Sequence, residues 1–167
     1  MPPRPFPLPL NIGTDIVHLP RITRLLARRD YLTRFTRRIL SDQEQQDFHT
    51  RFKHSFQPPS SPPAQRPPQT PIAITQEMTR WLAGRFAAKE AARKAAPEGA
   101  ASIGWKDVVV QVQSGAEGSR SQSQSVEGVS RRPEIVYLGE EGDAGRVGRL
   151  SISHDGEYVV ATVLAAG

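Results

Sequence analysis

The stretch TQEMTRWLAGRFAAKEAARKAA, residues 75–96, carries the strongest helix signal in the chain. It is rich in alanine, arginine, lysine and glutamate, which favour helices. Met78, Leu82 and Phe86 recur at four-residue spacing along one face. Pro97 follows and is expected to end the helix. The sequence therefore predicts one long central helix.

Before this helix the sequence predicts one strand and two shorter helices. Residues 12–17 form a short apolar run typical of a strand. Pro20 suits the first turn of a helix, and Ser41 with Glu44 three residues later is a capping-box pattern for a second helix. The positions that follow helical spacing after Pro20 are Ile22, Leu25, Leu26 and Tyr31.

After the long helix the apolar residues alternate as they do in strands. Residues 103–112 are rich in β-branched side chains and predict a strand with Trp105 at its start. Because side chains alternate across a strand, one of its faces is expected to carry Val108, Val110 and Val112.

The end of the chain predicts a short strand and a hairpin. Residues 135–138 suit the strand, and the apolar runs 150–153 and 158–164 flank Asp155-Gly156, a common two-residue hairpin signal. The predicted order of elements is β, α, α, β, β, β. This order is typical of an α+β fold around an antiparallel sheet.

Two segments of biased composition interrupt these elements. Residues 57–71 hold seven prolines in fifteen positions, and residues 114–132 hold six serines and three glycines. Neither composition supports a helix or a paired strand. We interpret them as insertions, at about 55–74 and 114–132, in a single domain that spans residues 1–167.

Composition and charge exclude several classes of function. The chain has no cysteine, so disulfides, thiolate metal sites and cysteine nucleophiles are excluded. No apolar run approaches the roughly 18 residues of a membrane helix, and residues 1–10 carry no clear targeting signal. The net charge of +5 favours an acidic partner: nucleic acid, anionic lipid, a phosphorylated ligand or an acidic protein.

The common short catalytic motifs are absent. The sequence contains no GxxxxGK[ST], GxGxxG, HExxH or GxSxG. The four histidines, at 18, 49, 54 and 154, lack a spacing suited to zinc. A metal site in this chain is therefore expected to use carboxylates and a hard cation such as magnesium.

The candidate site residues each have a simpler interpretation when taken alone. Glu90 lies four residues before Lys94, so the two could form an ordinary surface ion pair on the helix. Asp15, two residues after Gly13, could be a turn residue. His154 and Asp155 could simply belong to the last turn. Spacing leaves these alternatives open.

Four segments together resemble the holo-acyl-carrier-protein synthases, the short type of phosphopantetheinyl transferase. They are NIGTDIVHLPRI (11–22), RFTRRILSDQE (34–44), WLAGRFAAKEAARKA (81–95) and LSISHDGEYVVATVL (150–164). The resemblance implies a small antiparallel sheet packed against a long helix. It also implies transfer of 4′-phosphopantetheine from coenzyme A to a serine of apo-acyl carrier protein, with release of adenosine 3′,5′-bisphosphate, in fatty acid biosynthesis.

The resemblance gives the two carboxylates one shared role. Asp15 falls on the aspartate of the family's GxD motif and Glu90 on the glutamate of its AAKEA motif, which implies that both are catalytic and bind Mg²⁺, with Mn²⁺ as a substitute. The implied contacts to the co-substrate coenzyme A are Arg85, Lys94, Gly99 and His154. The general base stays open among a metal-bound water, Glu90 and the catalytic pair His154 and Asp155.

The carrier proteins of this family are acidic, so the resemblance implies that Arg21, Arg34 and Arg38 dock the carrier. The alternative is a solvated basic helix. His18 stands where the family often has an acidic residue, so the hydrogen bonding behind Asp15 is expected to differ.

The family resemblance also implies an assembly and a location. It implies a homotrimer with sites between subunits and, from insertions of a fungal type, a mitochondrial protein, with the cytoplasm as the alternative. We expect no nucleic-acid or membrane partner. The rival functions are a nucleic-acid-binding module and a scaffold whose prolines dock SH3 or WW domains.

Overall fold

The computed structural model describes residues 7–56, 72–112, 132–139 and 145–167. Its elements form an α+β fold, as the sequence predicts. In chain order they are β1 (Leu10–His18), α1 (Leu19–Leu26), α2 (Tyr31–Ile39), α3 (Asp42–Arg51), a 3₁₀ turn (Lys53–Phe56), α4 (Gln76–Lys94), β2 (Val108–Val112), β3 (Pro133–Tyr137), β4 (Arg146–Asp155) and β5 (Tyr158–Ala166). Of the predicted insertions at 55–74 and 114–132, residues 57–71 and 114–131 lie outside the described residues.

One five-stranded sheet organises the molecule, with the strand order β1-β5-β4-β3-β2. Every neighbouring pair is antiparallel, and β1 pairs with β5 from Leu10 opposite Ala166 to His18 opposite Tyr158. The long helix α4 packs across the sheet, mainly on β1 and β5. This arrangement places the first and last strands of the chain side by side under the central helix.

Small residues allow α4 to approach the sheet closely. Its fully buried face contains several alanines, and Gly13 of β1 faces this part of the helix. A Cβ atom built on Gly13 would lie 2.0 Å from the carbonyl oxygen of Ala91. The glycine of the GxD pattern is therefore required for helix and strand to touch at this point.

The helix boundaries follow the predicted capping signals. Ser41 Oγ accepts a hydrogen bond from the Glu44 backbone N–H at 3.3 Å, and the Ser41 backbone N–H donates to Glu44 Oε2 at 2.9 Å. This confirms the capping box of α3. Thr75 caps α4 in a similar way, by accepting from the Met78 N–H at 3.1 Å. None of the described helices is long and apolar enough to cross a membrane.

The predicted order β, α, α, β, β, β is wrong, because it omits one of the three helices and one of the five strands that the separate segments predict. The described residues contain four α-helices and five strands. The helical pattern after Pro20 is divided into α1 and α2 by a turn that ends at Asp30, whose φ of 57° is incompatible with a continuous helix.

Two details of the predicted strands are also wrong. The strand predicted from 103 begins only at Val108, because the Gly104 N–H donates to Asp107 Oδ2 at 2.8 Å and the chain turns there. Trp105 therefore precedes the strand. Val112 is exposed because it lies at the end of an edge strand, whereas Val108 and Val110 are buried.

The final hairpin is confirmed, but its turn is shifted by one residue. Asp155 belongs to β4 and pairs with Tyr158, so the two turn residues are Gly156 and Glu157. Gly156 has a φ of 50°, which suits glycine at the first central position of a two-residue turn.

Candidate active site

Lys94 connects the end of α4 to strand β1. Its ammonium donates to Asp15 Oδ1 at 2.9 Å and to the carbonyl oxygen of Thr14 at 2.9 Å. The Asp15 side chain is only 16% exposed. The close contact at Gly13 fixes this region of β1 against the helix, so two residues that are 79 positions apart in the chain form one cluster.

Glu90 lies one helical turn before Lys94, but its local ion pair is with Arg93 and not with Lys94. Its Oε1 accepts a hydrogen bond from Arg93 Nη1 at 3.0 Å. Residues four apart on a helix are neighbours, so Glu90 lies at the same end of α4 as the pair of Lys94 and Asp15. The carboxylate end, as we name Asp15, Glu90 and Lys94, combines two anions with one cation.

The chemistry of the carboxylate end fits a hard cation that is also bound by substrate. Oxygen ligands suit magnesium, which usually takes one or two protein carboxylates and completes its coordination with water and phosphate oxygens. The described residues contain no cluster of three or more histidine, aspartate or glutamate side chains that could hold a metal by themselves. Asp15 and Glu90 are the two carboxylates at this end that could hold such an ion, with a phosphorylated ligand completing its coordination.

Arg85 lies farther back on α4 with unused hydrogen-bonding capacity. Its guanidinium stacks on Trp81, with Cζ 3.4 Å from the ring centroid. The nearest carboxylate oxygen, Glu44 Oε1, is 3.8 Å from Nε, a buried atom that has no hydrogen-bond partner among the described residues. Burial lowers the pKa of Arg85 to about 10, against the opposing charge of Glu44, so the group remains charged at neutral pH.

A buried ion pair, which the sequence pattern does not predict, supports this part of the helix. Lys89 Nζ lies 2.6 Å from Glu44 Oε2 and donates to the Trp105 carbonyl oxygen at 3.0 Å. Glu44 Oε1 also accepts from the Val110 N–H at 3.2 Å. The available signal was the position of Lys89 seven residues after Leu82, on the apolar face of α4.

His154 and Asp155 lie apart from the carboxylate end. His154 is exposed in β4 and lines a pocket of about 500 Å³ with Arg51, Glu77, Arg80, Trp81 and Gly156. Successive side chains of a strand point to opposite faces, so His154 and Asp155 are directed away from each other. Trp81, on one wall of the pocket, precedes Lys94 by 13 residues, about 20 Å along the helix.

The remaining predicted residues lie around these two regions. Gly99 has a φ of 84° in the turn after α4, and its carbonyl oxygen accepts a hydrogen bond from Ser102 Oγ at 2.7 Å. His18 pairs with Glu157 at 3.3 Å rather than with Asp15. The predicted docking residues are Arg21 on α1 and Arg34 and Arg38 on α2, and all three are exposed. Within the described part of the chain none of them has a carboxylate partner.

This fold and this arrangement of residues agree with a family model of the 4′-phosphopantetheinyl transferase superfamily, which matches residues 11–163. The chain belongs to this superfamily and is a phosphopantetheinyl transferase of the holo-acyl-carrier-protein synthase type. It transfers phosphopantetheine from coenzyme A to a carrier protein.

A curated relative and two solved structures support this identification. The chain is 63% identical over 168 residues to the 4′-phosphopantetheinyl transferase B, mitochondrial, of Aspergillus fumigatus, a match that covers 98% of this chain and 97% of the relative. This agrees with the mitochondrial location expected from the sequence. The holo-acyl-carrier-protein synthase of Bacillus anthracis, in complex with coenzyme A (3′,5′-ADP), is 25% identical with a TM-score of 0.57 over 94% of this chain and 96% of that one. The Neisseria meningitidis enzyme is 26% identical with a TM-score of 0.55 over 94% and 98%.

Proposed function

We propose that this transferase modifies a serine of an apo-acyl carrier protein in a magnesium-dependent reaction that serves fatty acid biosynthesis. The observation that carries the proposal is the double contact of Lys94 with β1, which brings Asp15 to the helix end that holds Glu90. Two carboxylates beside a lysine suit the pyrophosphate of coenzyme A and a divalent cation. The Bacillus anthracis synthase in complex with coenzyme A supports the choice of co-substrate.

In the proposed reaction the carrier serine attacks the phosphorus that bears the pantetheine arm. A bond from the serine oxygen to phosphorus forms, the bond to adenosine 3′,5′-bisphosphate breaks, and the hydroxyl proton passes to a base. Asp15 and Glu90 would hold Mg²⁺, which neutralises charge on the pyrophosphate. Lys94 would exchange part of its contact with Asp15 for a phosphate oxygen.

Arg85 and His154 supply the second part of the proposed coenzyme A site. The guanidinium of Arg85 is fixed by stacking on Trp81, and its Nε is buried without a hydrogen-bond partner among the described residues. His154 faces a pocket with two arginines, Arg51 and Arg80. We assign both residues to phosphate groups of coenzyme A, and Gly99 to a backbone approach of the ligand. The base remains a metal-bound water, Glu90, or the pair of His154 and Asp155.

In the proposed homotrimer, the carboxylate end of one subunit and His154 of another belong to one site. The face of β1 and β5 that points away from α4 exposes large apolar side chains, with Ile12 at 68% and Ile16 at 63%. Tyr158 and Leu164 of β5 are exposed as well. The proposed occupant of this face is a second copy of this chain, each copy being one domain of residues 1–167 with two insertions. In the proposed trimer His154 of one subunit serves the site that holds Glu90 of another.

The docking surface proposed for the carrier consists of Arg21, Arg34 and Arg38. These cations are exposed on neighbouring helices, and an acyl carrier protein is acidic, so the charges are complementary.

Mass spectrometry of the carrier tests the proposed reaction. We expect apo-acyl carrier protein, mixed with the enzyme, coenzyme A and Mg²⁺, to gain the mass of phosphopantetheine. Glu90→Gln keeps the shape of the side chain but removes its charge, so it is expected to fold and to lose most magnesium-dependent turnover, by about 10²-fold or more. Equal turnover in the variant and the parent would remove Glu90 from the site.

A further inference from the structure

Arg93 uses all three of its guanidinium nitrogens on three different acceptors. Nη1 donates to Glu90 Oε1 at 3.0 Å, Nε to the carbonyl oxygen of Ile103 at 2.7 Å, and Nη2 to the carbonyl oxygen of Ala100 at 2.7 Å. The Arg93 side chain is only 19% exposed. One planar group therefore joins the Glu90 carboxylate to the backbone that follows α4.

Aromatic stacking also holds the same guanidinium. Cζ of Arg93 lies 4.8 Å from the Trp105 ring centroid, and Trp105 stacks on Phe86 with centroids 5.1 Å apart and planes 22° from parallel. Lys89 donates a hydrogen bond to the Trp105 carbonyl oxygen. The segment 100–105 is thus attached to α4 by both hydrogen bonds and stacking.

We propose that Arg93 is a positioning residue of the metal site, which fixes the orientation of the Glu90 carboxylate and attaches it to segment 100–105. This inference rests on the proposed metal-binding role of Glu90. A glutamate on a helix has several rotamers, and the bond from Arg93 to Oε1 selects one while Oε2 has no hydrogen bond to Arg93. Gly99 directly precedes the attached segment, so the carboxylate and the proposed backbone contact with coenzyme A are positioned together.

A simple charge-balancing role for Arg93 makes the opposite prediction. A guanidinium beside a metal carboxylate repels the incoming cation, so its removal would strengthen Mg²⁺ binding if charge were its only effect. A positioning role requires the planar, three-way geometry. Lysine keeps the charge but cannot make three hydrogen bonds in one plane. Arg93→Lys and Arg93→Met therefore separate the two roles.

The experiment measures Mg²⁺ binding and backbone opening rather than turnover alone. Calorimetric titration of Mg²⁺ into the full chain with coenzyme A present is expected to show about tenfold weaker binding in both variants, the range found when partners of metal ligands are removed. Amide hydrogen exchange in residues 99–105 is expected to accelerate in both. The matched control is Lys106→Met. It removes a cation from the same region, and the ion pair of Lys106 with Asp42 is exposed.

The outcomes distinguish this inference from the function on which it rests. Tighter Mg²⁺ binding in Arg93→Met, parental binding in Arg93→Lys, or unchanged exchange in both would overturn the positioning role. Parental Mg²⁺ binding in Glu90→Gln would instead overturn the metal-binding role of Glu90, and the positioning role with it. A melting temperature near that of the parent in each variant shows that the fold is retained.

Discussion

Lys89 is a fully buried lysine, and its counterion Glu44 is 1% exposed. Neither charge has access to water, so each depends on the other and on the surrounding backbone groups. Burial is the largest effect on the pKa of Lys89 and lowers it, although Glu44 acts in the opposite direction. The pair joins α3, α4 and β2, which are the elements around Arg85.

Replacement of Lys89 by methionine tests this pair. The variant leaves Glu44 buried without its counterion, so we expect a loss of about 3–5 kcal/mol in the free energy of unfolding, measured by urea denaturation. The double variant Glu44→Gln/Lys89→Met removes both charges and is expected to recover part of the loss. A single variant as stable as the parent would contradict the dependence of one charge on the other.

Because the pKa of Lys89 is lowered, the difference in unfolding free energy between the parent and Lys89→Met is expected to depend on pH. The folded chain releases this proton at a lower pH than the unfolded chain, in which the lysine has its ordinary pKa of 10.5. Between these two values the unfolded state binds more protons, so stability rises with pH. The advantage of the parent over Lys89→Met is therefore expected to grow as the pH approaches 10.5, measured by urea denaturation across that range.

Among the elements, the crossing of β1 and α4 is the contact on which the carboxylate end depends. Gly13→Ala would place a methyl group against the Ala91 backbone, which cannot move aside as a flexible side chain can. We expect a loss of about 1–3 kcal/mol in unfolding free energy. Turnover is also expected to fall, since Asp15 shifts relative to Lys94.

Gly84→Ala is the matched control for that substitution. A Cβ on Gly84 meets no atom within 4 Å, and alanine favours a helix by about 1 kcal/mol over glycine. Urea denaturation should therefore show unchanged or higher stability for Gly84→Ala. Equal losses in the two variants would contradict a specific contact at Gly13.

The sequence predicts the local features of the fold better than its long-range contacts. The capping box at Ser41 and the long helix depend on neighbouring residues, and both are confirmed. The break at Asp30 was missed because the apolar spacing continues across it. The pairing of Lys94 with Asp15 could not be predicted from spacing, which favours the local partner Glu90, because only the packing of β1 on α4 brings Asp15 within reach.

In the molecule as a whole, the proposed site residues of one chain form two regions. Trp81, which lines the pocket at His154, lies about 20 Å along α4 from Lys94. Coenzyme A has to contact both regions if the proposed roles are right. Either the ligand extends along one chain, or the pocket of one subunit meets the carboxylate end of another.

Complementation between two inactive variants decides between these arrangements. Glu90→Gln and His154→Ala, each expected to be inactive alone, are co-expressed and assembled at equal amounts. If each site takes Glu90 from one subunit and His154 from its neighbour, half of the subunits supply each intact residue. About a quarter of the sites then have both, as expected for a symmetric trimer. Sites within one chain would give no recovered activity at all. Sedimentation of the same samples must show trimers, because a monomer with recovered activity would contradict the proposed interface.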